Sequence, residues 1–158
     1  MPGAAYDAVS ALSSDIDSIW VYAGWDKIAC DQAGLDSNFI MFTDTDDVLD
    51  YYTPVIIGNN DFMTENVETE RAFLRALTKG YEYCVEDPEG AAEILCTEVP
   101  ELDPDLVKAS LDYLSDQFIA DAPCWGYIDS ERWNNFYDWM YEQGLVEHNL
   151  NGIGYVWG

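Results

Sequence analysis

Ser18-Ile19-Trp20-Val21-Tyr22-Ala23-Gly24-Trp25-Asp26 is the stretch on which the reading of the fold turns. Residues 18–23 have the apolar, β-branched and aromatic make-up of a short buried strand. Gly24 permits a sharp turn, and Asp26-Lys27-Ile28-Ala29 opens a helix that Gly34 closes. A strand ending in aromatic groups and a carboxylate, at a strand-to-helix turn, is where open α/β sheets bind ligands. The stretch is therefore expected to be a ligand-contacting edge, backed by a mostly helical scaffold.

Working outward, residues 1–17 are small, polar and weakly patterned, and read as a leader or loop. Phe39-Ile40-Met41-Phe42 has strand length and is bounded by the acidic turn 43–47. Tyr51-Tyr52-Thr53-Pro54-Val55-Ile56-Ile57-Gly58 is a third expected strand, with Pro54 at its start or on an edge because it cannot donate to a ladder. Beyond Asn60 the pattern turns helical. Asn66 can open a helix reaching Tyr83, with Val67, Leu74, Leu77, Tyr81 and Cys84 on one face. Asp87-Pro88-Glu89 and Asp103-Pro104-Asp105 each combine an N-cap, a proline at the first helical position and a first-turn acid. Asp129-Ser130-Glu131 opens a last helix in which Trp133, Phe136, Tyr137, Met140 and Tyr141 form one stripe before Gly144. Such a stripe reads as core packing rather than as a cofactor box.

The chain has 158 residues, enough for one domain with a core, and is 49% apolar. Its 31 Asp and Glu against 6 Lys and Arg give a formal net charge of −25. That field repels phosphate backbones and anionic lipid, so nucleic acid is excluded as a partner. The 4 cysteines, Cys30, Cys84, Cys96 and Cys124, form no C-x-x-C pair, and His148 is the 1 histidine. A metal site is not expected from that set, nor is any cofactor. Cys84 and Cys96 read as small apolar packing groups, and spacing decides neither for nor against a disulfide. No run reaches the roughly 18–20 apolar residues of a transmembrane helix. The opening Met1-Pro2-Gly3-Ala4-Ala5 carries no export signal.

Short strands followed by so much apolar helix face make an unbalanced domain, and the pattern looks like part of something larger. Several segments together resemble one family: Trp20 to Asp26, Asp50 to Asn59, Ala76-Leu77-Thr78-Lys79-Gly80-Tyr81-Glu82-Tyr83, Asp87 to Ala92, and Trp125-Gly126-Tyr127-Ile128-Asp129 with Trp133 and Trp139. They resemble the ABC-transporter substrate-binding proteins that capture thiamine pyrimidine precursors, the group related to the fungal thiamine-pyrimidine synthase. The resemblance implies an α/β, periplasmic-binding-protein type II-like fold, here partial: second lobe, crossover strand and C-terminal helices. On that reading residues 18–50 belong to the second α/β lobe and 51–60 form the crossover hinge strand. Residues 61–158 are then a helical part that packs on a first lobe missing from this chain. The missing export signal is read as a truncation of a periplasmic or extracellular, membrane-anchored protein that serves an ABC-transporter permease.

An aminopyrimidine is a flat, weakly basic ring with adjacent donor and acceptor edges. A site for it needs aromatic faces for stacking and a carboxylate for the exocyclic amine. The resemblance implies ligand contacts from Trp25, Asp26, Tyr22, Tyr51 and Asn59, with the small heterocyclic solute as partner. In the family the position of Asp26 is usually a glutamate, so this carboxylate is one methylene shorter. Asp26 also reads as a helix N-cap, Tyr22 or Trp20 as core, and Tyr51 and Tyr52 as packing. The expected function is solute capture without chemistry of its own. The alternatives are a pyrimidine-synthase-like enzyme of the same fold, or a truncated relative that binds nothing. The synthase-type chemistry would need histidine and a cysteine cluster, and His148 alone does not meet it.

With 31 acids against 6 bases, self-repulsion opposes the compact state. The melting temperature is expected to rise between low and moderate salt, measured by circular dichroism; no rise would show that the acids are spaced widely enough not to repel.

Overall fold

The computed structural model describes residues 7–152. Seven α-helices run along the described chain: α1 Ala8–Leu12, α2 Ile28–Gln32, α3 Asn60–Glu65, α4 Val67–Glu86, α5 Pro88–Glu98, α6 Pro104–Leu114 and α7 Ser130–Glu142. A π turn, Ala23–Lys27, leads directly into α2, and short 3₁₀ turns occupy Phe42–Asp44 and Asp47–Leu49. None of the described helices is long and apolar enough to cross a membrane.

The helix starts follow from local chemistry. Asp87 accepts from the Gly90 N–H at 2.9 Å, and Asp103 accepts from Asp105 and Leu106 at 2.9 and 3.2 Å. Asp129 accepts from Arg132 N–H at 2.8 Å. In each case a carboxylate satisfies first-turn donors that have no intrahelical partner, and its charge sits at the positive end of the helix. The ends are equally local. Gly34 and Gly144 adopt φ of 71° and 69°, and the residues after them, Leu35 and Leu145, donate back to Cys30 and Met140. That is the six-residue closure left-handed glycine makes possible. Asn66 donates its side-chain amide to the Phe62 carbonyl at the end of α3, and α4 follows at once. Its expected face is half-buried at Val67, Leu74, Leu77, Tyr81 and Cys84, whereas Phe73 points outward, 54% exposed.

The strands expected over residues 18–23, 39–42 and 51–58 are not formed: no β-ladder exists among the described residues. The backbone is extended where they were expected. Tyr22 has φ −94° and ψ 128°, Met41 −76° and 132°, and Asn59, just past the third stretch, −74° and 128°. β-Branched and aromatic residues set that local preference, but a strand also needs a neighbour's N–H and C=O groups. No described segment brings them. Ala23 already belongs to the π turn and Phe42 to a 3₁₀ turn. The described fold is mostly helical rather than α/β. Of the leader expected over 1–17, residues 1–6 lie outside the described residues, and Ala8 and Ala11 of α1 are buried.

The chain divides into two compact units, Met1–Phe39 with Ala76–Trp125, and Ile40–Arg75 with Gly126–Gly158. The first is organised by α5 against α6, with α2 and the π turn on α6 and α1 on α2. Its core is Ala91, Ala92, Val107 and Leu111, with Val107 wholly buried, and Trp25, Cys84, Cys96, Leu102 and Phe118 packed around them. Tyr81 meets Phe118 edge-on at 4.9 Å and stacks on Trp125 at 4.4 Å. All the cysteines are free thiols. The second unit is built on α7, which carries the Asp47–Leu49 turn.

Asp103→Ala leaves two first-turn N–H groups of α6 without their carboxylate. It is expected to destabilise the protein by about 1 kcal/mol, read as a lower urea midpoint at unchanged slope.

Candidate functional site

The chain from Trp20 to Lys27 turns out of an extended run into a helix through one wide turn. Lys27 N–H donates to the Tyr22 carbonyl at 3.3 Å, the i→i+5 bond of a π turn, and Trp25 N–H reaches the same oxygen at 3.2 Å. Asp26 Oδ2 accepts from the Tyr22 N–H at 2.9 Å. The carboxylate thus reaches back to the residue that opens the turn, as the acid of a capping box does. Oδ1 of Asp26 has no donor among the described residues. The ring of Tyr22 lies 4.8 Å from that of Trp20 at 60°, and both are exposed, at 45% and 55%. Neither ring of that pair is core, as one of them was expected to be. Trp25 takes the inward direction instead and packs on the Ala91, Ala92, Val107 and Leu111 cluster.

Two contacts from α6 hold the turn. Ser110 Oγ donates to the Gly24 carbonyl, a buried bond between residues 86 positions apart. Gly24 lies so close to α6 that a Cβ there would stand 2.5 Å from Leu114 Cδ2. Lys27 pairs with Asp31 and lies 5.8 Å from the centre of the Phe39 ring. Burial pushes the Cys30 thiol above its ordinary range, and the nearby Asp26 and Asp31 carboxylates push the same way. Cys30 is thus a neutral packing group rather than a nucleophile.

In the second unit the remaining expected residues are placed separately. Tyr51 stacks on Phe136 at 4.3 Å and 15°. Tyr52 receives the Asp129 N–H on its hydroxyl at 2.9 Å, and its ring faces Trp133 at 6.4 Å. Arg132 lies 4.3 Å from the Tyr52 ring centre, pairs with the Asp50 carboxylate and donates from Nε to the Asp50 carbonyl at 3.0 Å. Together Tyr51, Tyr52, Thr53, Trp133, Phe136 and Tyr137 border a recess of about 160 Å³. An open acidic groove of about 620 Å³, bordered by Asp47, Asp50, Asp129, Glu131, Asp138 and Glu142 among others, lies in the same unit. Asn59 caps α3, its Oδ1 accepting from Phe62 N–H at 3.0 Å. No group of acids, cysteines and histidine among the described residues could hold a metal ion.

The turn therefore brings together Tyr22 and Asp26, with an exposed aromatic pair beside a carboxylate that keeps one oxygen available. Tyr51 and Asn59 are each engaged in their own unit, by a ring stack and a helix cap. Sequence reading passed over Ser110 and Arg132. Ser110 had a signal, a hydroxyl within the apolar stripe Val107, Leu111 and Leu114 of α6. Arg132 had a weaker one, a rare cation three residues after an aspartate cap.

Comparison with known proteins adds what geometry cannot. The formylaminopyrimidine-binding protein of Halalkalibacterium halodurans is 32% identical over 97 residues, 59% of this chain and 29% of that protein. The chain thus spans less than a third of that relative's length. The sequence model of the NMT1/THI5 like family, which is periplasmic-binding-protein-like, matches residues 3–91. That match holds the π turn and covers more than half of the chain, which therefore belongs to the NMT1/THI5 like family.

Proposed function

We propose that this chain is part of a solute-binding protein that captures an aminopyrimidine precursor of thiamine, without chemistry of its own. The observation that carries the reading is the match to a formylaminopyrimidine-binding relative, together with the exposed aromatic pair and open carboxylate oxygen at the π turn that the family match contains. In this reading the pyrimidine's exocyclic amine donates to Asp26 and its ring lies against Tyr22 and the exposed part of Trp25. Residues 51–60 form the crossover strand of the whole protein. Residues 18–50 form part of the second lobe, 61–158 the helical part, and the facing wall of the cleft comes from a first lobe. The protein works outside the cytoplasmic membrane and passes its solute to an ABC permease.

The charge adds a selectivity argument. A net −25 field disfavours anionic solutes, so the unphosphorylated pyrimidine is favoured over its phosphate ester. Aspartate in place of the family's usual glutamate shortens the reach by one methylene and favours a ring with its amine held close to the turn.

Titration of the chain with formylaminopyrimidine, followed by tryptophan fluorescence, tests this. It is run with the chain alone and with a polypeptide covering the rest of the relative's length. Binding is expected in the combined sample. Asp26→Asn should weaken it about tenfold to a hundredfold, the usual size of a lost hydrogen bond to a charged group. No binding in either sample, or iron-dependent turnover of the solute, would overturn the reading.

A further inference from the structure

We propose that Ser110 is a positioning residue for the ligand-contacting turn, acting through the carbonyl of Gly24. The proposal rests on the solute-binding reading of that turn and names the group that sets its geometry.

A π turn holds one more residue than an α turn for the same hydrogen-bonded closure, and such turns are rare and frequent at functional sites. Here Lys27 N–H closes on the Tyr22 carbonyl, and the Gly24 carbonyl inside that loop accepts from Ser110 Oγ. Ser110 is 4% exposed. Its hydroxyl reaches Gly24 rather than a carbonyl of its own helix, and the Gly24 carbonyl would lose a partner if the hydroxyl were removed. The donor is itself fixed. Val107, one turn before Ser110 on α6, is wholly buried, and Leu111, the next residue, is 9% exposed. Gly24 adds a steric half to the device, because its bare Cα lets the turn lie on Leu114 where a Cβ would stand 2.5 Å from Cδ2.

The consequence runs along the chain by short steps. The Gly24 carbonyl sets the plane of the peptide that carries Trp25. Two residues after Gly24, Asp26 reaches the Tyr22 N–H at 2.9 Å. Relaxing the wide turn to an ordinary α turn removes one residue from the loop and rotates both Trp25 and Asp26 about the helix axis. The indole would leave the Ala91 and Val107 cluster, and the carboxylate would leave the Tyr22 amide. Ser110 thus governs where the carboxylate points without touching the solute.

The test uses the whole chain, with Ser110→Ala and Ser110→Thr. Amide hydrogen exchange is followed by NMR at Tyr22 and Lys27, with Leu111 in α6 as internal reference. Ser110→Ala is expected to speed exchange at Tyr22 and Lys27 about tenfold with Leu111 unchanged, and Ser110→Thr, which keeps the hydroxyl, to restore most of the protection. Affinity for formylaminopyrimidine, measured with the complementing polypeptide present, should fall about tenfold in Ser110→Ala and recover in Ser110→Thr. If Ser110→Ala does not fold, Gly24→Ala pushes the same turn off α6 and should give the same exchange pattern. Pairing it with Leu114→Ala should then return Tyr22 and Lys27 to slow exchange. Unchanged exchange at Tyr22 and Lys27 in a folded variant overturns the proposal. Faster exchange with unchanged affinity overturns the ligand role and leaves a purely structural bond. Failure of the unmodified chain to bind with the complementing polypeptide present overturns the solute-binding reading itself, and the ligand role of Ser110 with it.

Discussion

The hydroxyl of Ser110 on the Gly24 carbonyl joins two parts of the chain 86 residues apart, inside the first unit. Much of that unit depends on the close approach this bond marks. The bare Cα of residue 24 lets the π turn lie on α6 with the Leu114 side chain in place. Once it lies there, Trp25 is delivered to the small core around Val107, and α2 follows the turn onto α6. The core is modest: alanines from α5 packed against one valine and one leucine from α6. A single buried polar bond is well suited to such a core, because apolar contacts of this kind are non-directional and would tolerate a rotated turn.

Charge is the second constraint. Every helix cap provided by aspartate brings a carboxylate to the end of the helix where negative charge is favourable. The same acidity leaves the opposite ends uncompensated: none of the seven helices has a basic residue in its last turn. The few cations are used at specific places. Lys27 pairs with Asp31 in α2, Lys108 with Glu89 across α5 and α6, and Arg132 with Asp50 beside the Tyr52 ring. These pairs are exposed and individually weak. Their value lies in relieving repulsion between elements that would otherwise present acids to one another.

In the second unit the aromatic stripe of α7 finds its partners far back in the chain, at Tyr51 and Tyr52. Tyr51 and Tyr52 lie on Phe136 and Trp133, and Arg132 and Asp129 fix the backbone and hydroxyl of the same segment. Of the stripe expected to be core, Trp133, Phe136 and Tyr137 pack on one another half-buried, whereas Tyr141 is exposed. Which residues they would meet was not legible, since helical spacing defines a face and says nothing of its partner. Asp138 shows the same limit. Its two oxygens take the side-chain amides of Asn149 and Asn151 at 3.0 and 2.6 Å, anchoring the polar loop that follows α7.

What the sequence determined by itself is local in origin. Aspartate before proline, glycine after a helix and apolar residues at helical spacing each act within a few residues, so the caps at Asp87, Asp103 and Asp129 and the stops at Gly34 and Gly144 are visible without any tertiary context. The family, too, is a property of residue order. Tertiary structure decided the rest. Extended backbone at Tyr22, Met41 and Asn59 follows from residue type, but pairing into a sheet depends on distant groups, and the described residues hold no such pairing. The direction of Trp25 and the hold of Ser110 on Gly24 likewise arise from contacts between segments far apart in the chain. Local propensity is encoded by neighbours a few residues away, whereas the seating of a turn on a helix is set by residues that only folding brings into reach.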